Sequence, residues 1–339
     1  MDFKPRCMAT ALCAIPHREP LKACEVILTY FPQAPCVPRL TMSLRMFLEG
    51  MPCVVMDVER RQLSLDLSRE QELLHFYESC EASKIDHFAI SRERAPGLYA
   101  FADTVLRSAP PQLQLIHLDL PGPLTLGLSM LGSDRVPAWY DETMKDIIVK
   151  TLRMKIMWLE RFFNQAIPDM LTMITLTEPS LATYSTPFGS LSRQDMLKSI
   201  DEVLNAIKGL RAIHCCANID WSMLTESGAQ VINFDAFRFS ESLALYAEDL
   251  KNFIGRGGML SWGVVPVDDT VVDEDVESLM SRLDAGIKLM VNEGIEKQLL
   301  LESSFITPSC TTSLLSVEMS ERVFKLTNEV SRKLIEKYF

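Results

Sequence analysis

Short apolar runs and stretches of helical periodicity alternate along the whole chain. We predict a strand from each apolar run, at residues 8–15, 52–58, 113–119, 170–176, 211–216, 230–234, 259–265 and 298–305. A helical pattern or a long loop follows each strand, and the clearest helices are expected at 137–166, 193–208 and 274–293. Between the first two predicted strands, Pro32, Pro35 and Pro38 predict an extended loop.

This alternation determines the expected architecture. Strands that alternate with helices pair in parallel through right-handed crossovers. Eight such units favour an α/β fold, a closed (β/α)8 TIM barrel, with residues 1–339 forming a single domain. The glycine-rich patterns typical of dinucleotide and nucleoside triphosphate sites are absent from the sequence.

Composition and charge narrow the function classes. The chain has 339 residues, of which 47% are hydrophobic, so it can bury a large core. Its net charge is -11 and it has no basic run, which argues against nucleic acid as a partner.

No apolar stretch is long enough to span a membrane, and the first residues lack the apolar core of a signal peptide. Nine cysteines, odd in number and mostly within apolar runs, indicate a reducing compartment, so a cytoplasmic protein is expected.

Three of the predicted strands end in residues that can bind a metal ion. His214 and Cys216 alternate on one side of an extended strand, Asp235 follows the next strand, and Cys310 follows the last. Together they offer four ligands, a number that suits tetrahedral zinc. The alternative is that these cysteines are ordinary buried apolar residues, since the paired spacing of structural zinc modules is missing. The order of three strand ends, each delivering a ligand, favours a catalytic site on the carboxyl face of a barrel.

Seven short motifs along the chain occur in a fixed order, at Leu12–His17, Asp57–Arg60, Gly122–Thr125, Thr177–Leu181, His214–Cys216, Val231–Asp235 and Thr307–Cys310. In these motifs the chain resembles the C-terminal catalytic domain of cobalamin-independent methionine synthase, within the methionine synthase/uroporphyrinogen decarboxylase-like superfamily. The family's N-terminal barrel has no counterpart in these residues, so the resemblance implies a stand-alone core.

The resemblance implies a zinc-dependent methyl transfer to a small thiol such as homocysteine. His214, Cys216 and Cys310 would be zinc ligands. Asp235 replaces the family's glutamate, and would either bind the metal or leave that position to the substrate thiolate during catalysis. Coordination to zinc removes the proton of a thiol, and the resulting thiolate is the nucleophile.

The acceptor-binding residues depart from the family pattern. Asp57 replaces a glutamate that holds the ammonium group of homocysteine, and Thr177 replaces an aspartate with the same role. One carboxylate therefore remains where two are usual, with Glu178 or Glu59 a candidate to compensate. His17 is expected either to contact substrate or to be a turn residue, and Asp119 either to orient substrate or to cap a turn.

The methyl donor is also expected to differ. The family has a histidine after the seventh strand that protonates folate as the methyl group leaves, whereas residues 263–269 contain none. Methylcobalamin needs no such acid, so a methylcorrinoid, carried by a separate corrinoid protein, is the favoured donor. Three alternatives remain: a methyl-tetrahydrofolate-dependent enzyme, a metal-free uroporphyrinogen decarboxylase-like protein, and a non-catalytic partner of a corrinoid protein.

Overall fold

A computed structural model describes residues 3–40, 44–57, 59–60, 62–132, 134–184 and 191–339. The strands are β1 Met8–Ala9, β2 Val54–Asp57, β3 Gln62–Leu65, β4 Leu115–Pro121, β5 Met130–Leu131, β6 Leu171–Thr177, β7 Leu210–Cys215, β8 Val231–Phe234, β9 Met259–Val265 and β10 Ser304–Pro308. The helices are α1 Pro20–Tyr30, α2 Glu70–Glu81, α3 Pro96–Ser108, α4 Pro123–Ser129, α5 Glu142–Ala166, α6 Leu181–Tyr184, α7 Arg193–Leu204, α8 Ser222–Glu226, α9 Ala236–Ala244, α10 Ala247–Gly255, α11 Val276–Asn292, α12 Lys297–Glu302 and α13 Val317–Tyr338. Short 3₁₀ turns lie at Leu44–Phe47, Ile85–Phe88, Ala138–Tyr140 and Asp269–Val272.

The main sheet has seven parallel strands in the order β1-β10-β9-β8-β7-β6-β4. It forms a half-barrel that is consistent with a TIM-like fold, and helices connect its strands as the alternating pattern predicts. The predicted closed barrel of eight strands is wrong, because this sheet contains seven. Its carboxyl edge carries the ends of β7, β8 and β10, where the candidate metal ligands were expected.

A proline-rich segment stands in place of the eighth strand. Cys36 forms a parallel bridge with His117 of β4, and Arg39 forms one with Ala14, which lies just beyond β1. These bridges link the segment to the edge strand β4 on one side and to the residues that follow β1 on the other. Pro38 interrupts the segment and has no N–H to donate, so the bridges stay isolated and no regular strand forms. The prolines that predicted an extended loop therefore mark the segment that links the sheet edges.

The predicted second strand belongs to another sheet. The run at 52–58 corresponds to β2, which pairs antiparallel with β3, and β3 pairs in parallel with β5. Val58 lies outside the described residues. All four residues of β2 are half-buried, unlike the fully buried β4 and β9 of the main sheet. Apolar content alone did not distinguish the two situations, because both produce a short apolar run.

Helix packing completes the main layer around the sheet. The longest helix, α5, has 25 residues and is capped at its amino end by Asp141, whose side chain accepts a hydrogen bond from the Met144 N–H. Its inner face contributes Trp158 and Phe163 to the core. Among the described residues, no helix is both long and apolar enough to cross a membrane.

Candidate metal centre

Three potential metal ligands meet at the carboxyl edge of the main sheet. His214 lies near the end of β7, Cys216 follows β7, and Cys310 follows β10. One ligand atom from each lies within 4.8 Å of the other two, and Cys310 Sγ is 3.6 Å from His214 Nε2. The imidazole is 2% exposed, whereas both cysteines are partly exposed. The group is therefore held by buried strands and still reachable from solvent.

A polar network inside the sheet fixes the orientation of the His214 ring. Asn233 of β8 donates from Nδ2 to Ser261 Oγ at 2.6 Å and to Thr307 Oγ1 at 3.1 Å. These two bonds orient the amide so that Asn233 Oδ1 accepts from His214 Nδ1. The Nε2 lone pair of His214 is then available on the side of the two thiols. Sequence reasoning placed Asn233 within a motif but gave it no role.

The two thiols share a proton unequally. A hydrogen bond from Cys310 and the adjacent His214 ring lower the pKa of the Cys216 thiol to about 4. The bond to Cys216 and burial raise the pKa of the Cys310 thiol well above its usual range. One thiolate, one thiol and one imidazole form a donor set of soft sulfur and nitrogen, which suits zinc. The residues present therefore fit the metal that the sequence predicts.

Asp235 lies beside this group but is not one of its three members. Its carboxylate caps α9 by accepting from the Arg238 N–H at 3.0 Å, and it pairs with Arg238 Nη1 at 2.9 Å. Arg238 also pairs with Asp268. Burial raises the pKa of Asp235, and the Cys216 thiolate nearby raises it further. Direct metal binding by Asp235 stays a prediction, because it requires the carboxylate to turn from Arg238.

Glu178 is fully buried and both its oxygens already accept hydrogen bonds. They receive the N–H groups of Leu124 at 2.9 Å and Thr125 at 2.8 Å, and the Thr125 hydroxyl at 2.6 Å. A Cβ at Gly122 would lie 2.1 Å from Glu178 Oε1, so the close approach requires glycine. Burial raises the pKa of Glu178 to about 7 against the effect of these bonds. These contacts position the turn before α4. The predicted role of Glu178 in substrate binding stays a prediction.

The other predicted contacts occupy different parts of the same edge. Asp119 is buried, accepts from the Cys13 N–H at 2.8 Å and pairs with Arg39 at 3.1 Å. His17 is 3% exposed and its Nε2 lies 3.2 Å from Glu321 Oε1. Within the described residues, the buried Nδ1 of His17 has no hydrogen-bond partner, so it can bond to a ligand.

Asp57 lies apart from the main sheet. It ends β2 in the small sheet, where its carboxylate accepts from the Arg60 N–H at 2.9 Å. Its side chain is 42% exposed. Its predicted contact with the acceptor remains a prediction, and nothing in the pairing of β2 brings Asp57 to the carboxyl edge of the main sheet.

Comparison with known proteins establishes similarity of fold. No protein-family model and no curated protein sequence matches the chain. The chain is similar to the crystal structure of a protein from Listeria monocytogenes provisionally described as a vitamin-B12-independent methionine synthase. The superposition has a TM-score of 0.57 and covers 95% of this chain and 86% of that chain, at 12% sequence identity. This likeness supports a methionine synthase-like fold.

Proposed function

We propose that this protein is a zinc-dependent methyltransferase that moves a methyl group from a methylcorrinoid to a thiol. The observation that carries the proposal is the convergence of His214, Cys216 and Cys310 at the carboxyl edge of the sheet. Zinc bound there would supply a Lewis acid that removes the proton of a substrate thiol. The similarity to a protein described as a methionine synthase is consistent with this chemistry.

The residues of the chain would act around the reacting sulfur. Asn233 holds the His214 ring with its Nε2 toward the thiols. Asp235 and Arg238 form an ion pair beside them, and His17 offers a buried nitrogen without a partner in the described part of the chain. In the reaction the substrate sulfur forms a bond to the methyl carbon. The carbon–cobalt bond breaks, and its electron pair remains on cobalt.

The choice of donor rests on the missing acid. A departing folate nitrogen needs a proton, and general-acid help of that kind is worth about 10²–10⁴ in rate. Residues 263–269 provide no histidine, and Asp268 within that stretch is already paired with Arg238. Cobalt leaves without a proton, so we favour a methylcorrinoid, free or carried on a corrinoid protein. A cytoplasmic enzyme acting on a small thiol is consistent with this proposal.

The experiment combines metal analysis with a choice of donors. Purified protein is expected to hold one zinc per chain, and Cys216→Ser and Cys310→Ser are expected to lose it while remaining folded. Cys80→Ser is the matched control, since Cys80 is a partly exposed cysteine outside the group. Methyl transfer to homocysteine is expected from methylcobalamin and not from methyl-tetrahydrofolate. Full zinc occupancy in the Cys216→Ser/Cys310→Ser variant would refute the metal centre, and faster turnover with the folate would refute only the donor.

A further inference from the structure

A cavity of about 280 Å³ lies at the carboxyl edge of the main sheet, between the ends of β1 and β4. Three arginines line it, Arg18, Arg39 and Arg94, against two carboxylates, Asp119 and Glu93. The remaining lining residues are apolar or small. An apolar cavity with few charged groups and an excess of arginine is suited to an organic ligand that carries an anionic group.

Arg39 is held rigidly at this cavity. Its guanidinium donates to Asp119 Oδ1 from Nε at 3.2 Å, and its Nη2 lies 3.1 Å from the same oxygen. The guanidinium carbon is 5.6 Å from the centre of the Phe47 ring. The side chain is 11% exposed, and the backbone is bridged to Ala14. A ligand therefore meets an arginine whose orientation is already fixed, which lowers the entropy cost of binding.

The other two arginines lie nearer the solvent. Arg18 and Arg94 are exposed, and neither side chain forms an ion pair within the described ranges. The amino end of α3 also lines the cavity, at Pro96 and Gly97. A Cβ at Gly97 would lie 2.1 Å from a backbone oxygen of the neighbouring segment, so glycine permits this approach. The positive end of the helix dipole adds to the field of the arginines.

Two steps between neighbouring backbones link the cavity wall to the candidate metal centre. Arg39 forms a bridge with Ala14, which lies beyond the end of β1, and Ala14 is in turn hydrogen-bonded to the loop that follows β10. With about 4.8 Å for each step, Arg39 and this loop are about 10 Å apart. The Thr311 hydroxyl, one residue after Cys310, donates to the Ala14 carbonyl and ties the two loops together.

We propose that this cavity binds the anionic end of the acceptor, so that the substrate is a thiol with a distant carboxylate or a similar acid group. This inference rests on the proposed thiol-binding role of the metal centre. It differs from the sequence-based expectation, in which a carboxylate at Asp57 holds an ammonium group. The acceptor's acid group would meet Arg18 and Arg94 at the mouth and Arg39 at the wall.

The test uses three linear thiols of equal length and different charge. Zinc-loaded and metal-free proteins are titrated calorimetrically with mercaptohexanoate, mercaptohexanol and aminohexanethiol, each with sulfur and second group at opposite ends. Hexanoate, which has no sulfur, probes the cavity alone in the metal-free protein. The Arg18→Ala/Arg94→Ala variant removes the two exposed charges. Arg92→Ala is the matched control, because Arg92 is an exposed arginine of the same loop that pairs with Asp103 and does not line the cavity.

The carboxylate thiol is expected to bind the zinc-loaded protein most tightly, with the alcohol weaker and the amine weakest. The double variant should weaken binding of mercaptohexanoate and hexanoate by about tenfold, the scale of a charge-assisted hydrogen bond. It should leave mercaptohexanol unchanged, and Arg92→Ala should change none of them. Equal binding of the carboxylate and the amine, or no effect of the double variant, would overturn the inference. If no thiol binds the zinc-loaded protein better than the metal-free protein, the proposed function is refuted. The hexanoate titration then still shows whether the cavity binds an anionic group.

Discussion

Asn233 offers the sharpest test of how the candidate metal centre is built, because it contacts His214 without belonging to the three candidate ligands. Asn233→Ala removes the acceptor for His214 Nδ1 and both donors to Ser261 and Thr307. The imidazole can then rotate and change tautomer, so its Nε2 no longer faces the thiols in a fixed geometry. We expect weaker zinc binding even though all three ligands remain.

The expected loss of zinc affinity and of stability in Asn233→Ala follows from these contacts. Loss of a hydrogen-bonded partner behind a metal-binding histidine costs about 10- to 100-fold in metal affinity, or roughly 1.4–2.8 kcal/mol. The metal-free protein should also become less stable, by about 2–3 kcal/mol, since three hydrogen bonds of roughly 1 kcal/mol each are lost from a residue that is 3% exposed. The two effects are separable because affinity is measured on folded protein.

Zinc affinity is measured by competition with a chromophoric chelator, and stability by urea unfolding of the metal-free protein. Asn218→Ala is the control, since Asn218 lies two residues after Cys216, is exposed and bonds to Ser242. We expect the control to bind zinc like the wild type. Zinc affinity in Asn233→Ala within about twofold of wild type, with the fold intact, would refute the claim that this network positions His214.

Three other outcomes are expected. His117 is 1% exposed, and burial lowers its pKa from 6.5 to about 4. As pH falls below about 6.5, the unfolded chain takes up a proton at His117 that the folded chain does not, so the free energy of unfolding decreases. Between about pH 7.5 and pH 5, urea unfolding of the wild type should lose about 2 kcal/mol more than that of His117→Gln; equal losses would contradict this. Asp57→Ala should leave zinc content unchanged and change KM by less than about twofold, as for an exposed charge; a larger KM increase restricted to amino-acid thiols would support the ammonium contact. Iodoacetamide should modify Cys216, whose pKa is lowered, only after chelation, as mass spectrometry can determine; modification of Cys216 in the zinc-loaded protein at the rate seen after chelation would contradict metal binding there.

Buried parallel strands were the most predictable part of this fold. A strand covered on both faces is apolar along its whole length, so the run that became β7 is visible in the sequence. The run at 298–305 is a less accurate prediction, because most of it forms the helix α12 and only its last two residues belong to β10. The residue that follows such a run must lie at the carboxyl edge of the sheet. This is why His214, Cys216 and Cys310 could be placed together from the sequence. Asn233 could not be assigned, because an apolar run does not show which of its side chains point into the sheet interior.

The pairing of segment 36–39 with the sheet edges was not predictable from the sequence, and this affects which residues are expected near the candidate site. It is too short and too rich in proline to resemble a strand, whereas the run at 52–58 has the usual appearance of one. The sequence pattern therefore assigns the strand position between β1 and β4 to residues 52–58 instead of 36–39, and it predicts Asp57 there instead of Arg39. The segment that occupies this position ends at Arg39, beside Asp119, where the resemblance predicted the carboxylate of Asp57. Assigning the strand to 52–58 instead of 36–39 therefore leaves Arg39 out of the predicted site, and the acceptor that we propose, a thiol with an acid group, depends on that arginine and its neighbours.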